Sequence, residues 1–362
     1  MTLNLNFNQQ DWERIKTDWQ AWWAHDLDRP LVYLDNLDPA VGSWSEWYGL
    51  ADDLAPGDNP EPHAILDGFE RLLNGMQFFG DAFPKWFPYY GPGIFAALLG
   101  GTPKFAPGTV WFDALGKPLD EISLSYSPDH PWRKKILGLL EAAAGRWGGQ
   151  VFLGATDIGG NLDLLASLRG STGLLMDLVE RKAMVTEKIA AITQLWLRWF
   201  DEMYAVIAPT CGGCSGWAPF WAPGRFYMLQ SDLSYMISPR MFERFVLPDL
   251  HACCEALDYP FYHLDGAGQI NHLDLLLSLE KLRGIQWIPG AGSPPPQEWL
   301  PLLKRIRDGG KLCQVYVSAE GALRIARELG GKGFLFVIDY RMDGEQMTPE
   351  EAEAFLKMIR DL

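Results

Sequence analysis

Apolar residues recur along this chain in two alternating rhythms. At the start, Trp12, Ile15, Trp19 and Trp22 or Trp23 return at helical spacing, which predicts an amphipathic helix over 11–26. Arg29-Pro30 ends it, because proline disfavours helix in the residue before it. A short apolar run of strand type follows over 31–34, and residues 36–80, rich in Asp, Pro, Gly and Trp, hold one helix near 60–75. Beyond them, strand-like runs at 83–89, 150–153, 204–207, 261–264, 284–288, 312–317 and 334–338 bring the total to eight. Helical patterns lie between and after them, at 131–147, 174–200, 239–257, 273–279, 297–307, 319–329 and 349–362. Such alternation predicts a parallel sheet, and eight units predict closure into an α/β fold of the TIM type. The expectation is one (β/α)8 barrel domain over 1–362, with residues 1–28 as an N-terminal helical extension and insertions padding the first half. A doubly wound sheet would need a glycine-rich turn after its first strand, but Asp35-Asn36-Leu37-Asp38-Pro39 stands there instead.

Composition narrows the classes of function. The chain has 362 residues, 48% hydrophobic, enough for one decorated barrel without disulfide staples. Its formal net charge of −15, from 46 acidic and 31 basic residues, repels phosphate backbones and anionic lipid, so neither nucleic acid nor membrane is an expected partner. The first ten residues lack the basic start and apolar run of a signal peptide, and five cysteines do not form a secreted disulfide framework, so a cytoplasmic location is expected. Sixteen tryptophans are either large core and rim residues or the lining of an aromatic cleft.

In a barrel, chemistry sits where the strands end, so the polar residues after each apolar run are the candidates. After 150–153 these include Asp157 and Asn161; after 261–264 comes His263-Leu264-Asp265-Gly266; Asp339 follows the last strand. His263 and Asp265 point to the same side of a strand. The pair can act as a base with its orienting carboxylate or share a metal, or it can merely hold a loop. Asp157 and Asp232 either cap helices or present carboxylates to substrate. Cys211 and Cys214 have the spacing of half a zinc ribbon, but without a second pair they read as small residues in a glycine loop. His272, at a helix start, reads as structural.

Three stretches together resemble the uroporphyrinogen decarboxylase superfamily. Asn161-Leu162-Asp163-Leu164-Leu165 to Gly170 is similar to the helix after the family's third-strand loop. The segment from Ser231-Asp232 through Ser238-Pro239 and Phe242 to Pro248 resembles its acidic residue followed by a Ser-Pro…Phe…Pro pattern. His263–Gly266 resembles the His-x-Cys-Gly segment of the corrinoid-dependent methyltransferases in that superfamily. The likeness covers roughly residues 140–345, with a looser match at Asp28-Arg29-Pro30-Leu31-Val32. It implies an enzyme that moves a methyl group between a cobalamin-bearing partner protein and a small molecule. Zinc would be held by His263, Asp265 and Asp339, and an apolar wall formed by Tyr89, Trp217 and Trp221. Arg225 would contact an anion and Asn161 would lie in the substrate pocket, while in a decarboxylase Asp157 or Asp232 would be the catalytic, proton-handling carboxylate. The alternatives are decarboxylation of a tetrapyrrole or another acid, and a non-catalytic barrel that binds a tetrapyrrole or small ligand; a homodimer is a further expectation. Two departures stand out. The decarboxylases' Arg-x-x-Gly-Arg loop is represented only by Arg29, and Asp265 stands where the methyltransferases have cysteine.

Overall fold

The computed structural model describes residues 3–53 and 61–362. Among the described residues eleven strands form: β1 (Leu31–Leu37), β2 (Met76–Gly80), β3 (Lys85–Trp86), β4 (Thr102–Ala106), β5 (Thr109–Asp113), β6 (Phe152–Leu153), β7 (Phe226–Leu229), β8 (Tyr259–Asp265), β9 (Gly284–Ile288), β10 (Leu312–Val317) and β11 (Phe334–Ile338). Seven of them make a mixed sheet in the order β2-β1-β11-β10-β9-β8-β7, parallel except for β2. β3 pairs with β6 in parallel, a single bridge carries that pair on to Ser215, and β4 and β5 form a hairpin.

The hydrogen-bonded ladders therefore do not close as expected. Among the described residues, the chain leading to β3 meets β1 through the Asp81 amide on the Val32 carbonyl (2.7 Å) and the Tyr33 hydroxyl on the Phe83 carbonyl (2.9 Å). The segment after β6 meets β7 where the Ile158 amide donates to the Tyr227 hydroxyl, 2.7 Å away. What the chain forms is an α/β fold around a mostly parallel sheet with helices about it. No helix among the described residues is long and apolar enough to cross a membrane.

One strand expectation is overturned. Residues 204–207 lie inside a helix, Lys182–Cys211, whose buried positions Ile192, Trp196, Trp199, Phe200, Met203 and Ile207 keep helical spacing throughout. The strand belongs instead to β7, four wholly buried residues between Pro223-Gly224-Arg225 and the polar Gln230-Ser231-Asp232.

The N-terminal helix, Gln9–Trp23, starts at a capping box in which Asn8 and Asp11 satisfy each other's backbone amides. Its apolar face lies beneath the N-terminal ends of the strands. The Trp22 indole N–H donates to the carbonyl of Phe334 at the start of β11, and the Trp23 ring packs on Phe226 and Tyr259 at the starts of β7 and β8. These early tryptophans are core, and they seal the end opposite the candidate site. Arg29 is structural too. It grips both oxygens of the fully buried Asp81 at 2.7 and 2.9 Å, and Asp81 also accepts from the Val32 amide. Removing one member of such a pair typically costs about 3–5 kcal/mol.

Candidate metal and acid–base site at the strand ends

β8 carries the first part of the site. Its alternation leaves His263 and Asp265 half-buried on one side and buries Leu264 on the other. Gly266 then turns the chain with φ +79°, a conformation that favours glycine, while its amide donates to the Ile288 carbonyl. Across the sheet, His263 is in register with Gln286 on β9, and Gln286 with Gln314 on β10. The side chains follow that register. His263 Nδ1 bonds Gln286 Oε1, and Gln286 Nε2 donates to Gln314 Oε1 at 2.5 Å. Because the Gln286 amide nitrogen is committed to Gln314, its oxygen must accept from His263, which places the imidazole proton on Nδ1 by inference from the network. The lone pair of the ring is then left on Nε2. The Trp217 ring packs edge-on against the imidazole, with centroids 5.3 Å apart.

Asp232 reaches the same point on a short 3₁₀ turn, Asp232–Met236, after β7. Three contacts hold that turn. Asp163 accepts the amides of Asp232 (2.8 Å) and Leu233 (2.7 Å), His272 Nε2 donates to the Ser234 carbonyl at 2.9 Å, and the Tyr235 ring lies over Gly266 and Gly268. A methyl group at Gly268 would stand 2.7 Å from that ring, so the ring would have to shift to admit one. The result brings one ligand atom each of Asp232, His263 and Asp265 within 4.8 Å of one another.

Carboxylates crowd this arc. Burial, then the charge of Asp232, pushes the Asp157 carboxyl up to about 7 against weaker backbone hydrogen bonds from Gly93 and Gly159. Burial and Asp232 likewise push Asp163 up to about 8. The surrounding protein raises Asp232 itself, with His263 pulling down and Asp265 pushing up. A carboxyl near 7 can both give and take a proton at neutral pH. The shift also has a consequence for stability. The folded-state value of Asp157 lies above the ~3.9 of an unfolded chain, so its contribution is complete below about pH 4 and is lost as pH rises through about 7. Urea midpoints measured from pH 4 to 8 should therefore fall more steeply for the native chain than for Asp157→Asn, which cannot ionise. Parallel profiles for the two proteins would contradict this.

The other residues singled out in the sequence have mixed fates. Asp339 does not join the metal group. It caps the helix Tyr340–Asp343, accepting from the Arg341 amide, and the Arg341 guanidinium holds both its oxygens. Arg225 precedes β7, at the end of the strand opposite the site, where it binds Asp201 and the Ala256 carbonyl and lies over Phe200 and Tyr204. Trp221 is buried core stacked on Phe152, not a wall of the site. Asn161 turns its amide to Thr193 and Asp249 between helices. Tyr89 follows β3 and donates to the Gly108 carbonyl of the β4–β5 hairpin. Of the predicted aromatic wall, Trp217 alone touches His263. The Cys211 side chain lies outside the described residues, and Cys214 is buried, with its thiol near the carbonyls of Ser215 and Phe226. Reasoning from sequence missed Gln286, Gln314 and Asp163. The first two carried a signal, a lone polar residue at the centre of an otherwise apolar strand.

No family model matches the chain, and no curated protein matches it. Among solved structures it is similar to a methyltransferase from Methanosarcina mazei, with a TM-score of 0.61 and 13% identity, covering 96% of this chain and 98% of that one. At that identity the two proteins share a fold, along nearly the whole length of both.

Proposed function

We propose that this chain is a methyl-transferring enzyme whose centre is the Asp232/His263/Asp265 group. Its substrate would be a small molecule, and a corrinoid-bearing partner protein would exchange the methyl group with it. One observation carries the reading: three convergent ligand atoms, one on an imidazole whose other nitrogen is already engaged by Gln286, sit at the strand ends of a fold shared with a methyltransferase. We further read β3, β6 and Ser215 as filling the space between β1 and β7, so that the parallel strands form a barrel variant with interrupted ladders.

The residues fit a divalent metal. One ring nitrogen of His263 and one oxygen each from Asp232 and Asp265 would leave coordination positions open, as catalytic zinc sites do, although two carboxylates make a harder set than thiolates and suit Mn²⁺ as well. Bound there, the ion would supply Lewis acidity that makes an acceptor X–H group easier to deprotonate. The protein's own part is positional. Gln286 fixes the imidazole, the Asp163 clamp holds Asp232, and Trp217 walls the imidazole on one side. Tetrapyrrole decarboxylation gains no support, since Arg29 is tied to Asp81.

The test uses the full-length protein loaded with Zn²⁺ or Mn²⁺, methylcobalamin as donor and a panel of thiols and amines as acceptors. We expect metal-dependent bleaching of methylcobalamin matched by methylated acceptor in the mass spectrum. No demethylation across the panel, with one equivalent of metal bound, would sink the reading, and turnover of a porphyrinogen with CO₂ release would replace it.

A further inference from the structure

Gln230 stands next to His263, and the roles assigned above leave it unused. β7 and β8 pair in register from Phe226 with Tyr259 to Leu229 with Tyr262. One further step sets Gln230 beside His263, on the face of the sheet that His263 shares, at the strand spacing of about 4.8 Å. Two residues later the chain presents Asp232. Gln230 is 6% exposed, and its Oε1 is buried without a hydrogen-bond partner among the described residues. The next amides across the sheet are engaged, Gln286 with His263 and Gln314 with Gln286. An amide oxygen buried without a donor weakens the fold, so it calls for a reason other than packing. A donor that arrives with a ligand supplies one. Charge narrows the ligand. No positive group but His263 acts on Asp232, and none acts on Asp157. Arg29, Arg225 and Arg341 are each tied to a carboxylate elsewhere. An anion would meet repulsion here, whereas an N–H group meets an acceptor.

We infer that the small molecule exchanging the methyl group is an amine, and that Gln230 selects it by accepting a hydrogen bond from its N–H on Oε1. The amine's part in the reaction rests on the methyl-transfer reading; its binding rests on Gln230. When the amine receives the methyl group, its lone pair becomes the N–C bond. The electron pair of the bond from methyl to its donor stays on the corrinoid, and the nitrogen takes up a positive charge. The N–H that the nitrogen keeps then makes a stronger, charge-assisted bond to the amide oxygen. The neighbouring carboxylates favour that charge as it develops. The proton leaves to solvent afterwards. A thiolate becomes neutral in the same step and brings no N–H for Gln230.

Two probes separate the hydrogen bond from charge alone: dimethylamine, which carries N–H, and tetramethylammonium, which carries the charge without it. Each is titrated into the full-length protein, with and without Zn²⁺. Gln230→Met keeps the length of the side chain and removes the amide. It should weaken dimethylamine binding by about 10- to 100-fold and leave tetramethylammonium binding unchanged. Its thermal midpoint should not fall, because no group of the protein loses a partner. Gln230→Glu keeps an acceptor and should keep dimethylamine binding. In the native protein, dimethylamine should shift the side-chain amide resonance of Gln230. Equal losses for the two probes in Gln230→Met, or no loss for either, overturn the inference, as does a native Gln230 resonance that dimethylamine does not move. If dimethylamine binds through Gln230 but is never methylated from methylcobalamin, the methyl-transfer reading fails and the amine site stands. If amines are methylated and Gln230→Met keeps the native KM for them, this inference alone fails.

Discussion

Replacing His263 by alanine should abolish stoichiometric metal binding and lower methyl transfer by about two to four orders of magnitude. The imidazole is the only nitrogen ligand in the group, and two carboxylates alone would hold a divalent ion weakly against water. The structural cost should be modest by comparison. Truncation strips the Gln286 oxygen of its donor and removes the edge contact with Trp217, a loss of about 1–3 kcal/mol. Metal content after gel filtration, thermal midpoint and demethylation rate, measured on one preparation, separate the two effects. One equivalent of metal retained by a folded His263→Ala protein would show that the ion, if any, sits elsewhere. Asp339→Asn supplies the contrast. It disturbs a helix cap and a pair with Arg341, and it should leave metal content unchanged.

What the sequence disclosed, and what it hid, follows from the range of the interactions involved. β9, β10 and β11 coincide from end to end with the apolar runs read from the chain, because each is a buried strand bounded by polar or glycine-rich turns. The run at 204–207 misled because a buried helix of thirty residues contains short windows that look like strands. β7 stayed hidden for the opposite reason, being four residues without alternation. Within the site, the i, i+2 relation of His263 and Asp265 is local and could be read directly, whereas the approach of Asp232 depends on Asp163, 69 residues earlier. Arg225 and Trp221 were placed at the site by their chemistry alone. Both precede β7, at the end of that strand opposite the site. Asp339 was placed by analogy of position, and the helix that begins at Tyr340 turns its carboxylate to capping.

The Gln286 contact leads to the second large effect. Gln286→Leu should weaken metal affinity and activity by about 10- to 100-fold, although residue 286 would touch neither metal nor substrate. Leucine removes the acceptor that keeps the proton on Nδ1, so the neutral imidazole can place it on Nε2 and block the lone pair meant for the site. It also leaves the Gln314 oxygen without its donor in the sheet interior. A purely structural fault would lower stability and leave the surviving molecules with normal affinity. A tautomer fault shows itself otherwise, as a changed pair of ¹⁵N shifts for the His263 ring in the metal-free protein and a lower affinity per folded molecule. Gln286→Glu separates the two further. A carboxylate accepts from Nδ1–H more strongly than an amide does, so the tautomer should persist and metal affinity should exceed that of the leucine variant. Equal affinities for the two variants, with unchanged ring shifts in both, would mean that the register from β8 to β10 packs His263 without orienting it.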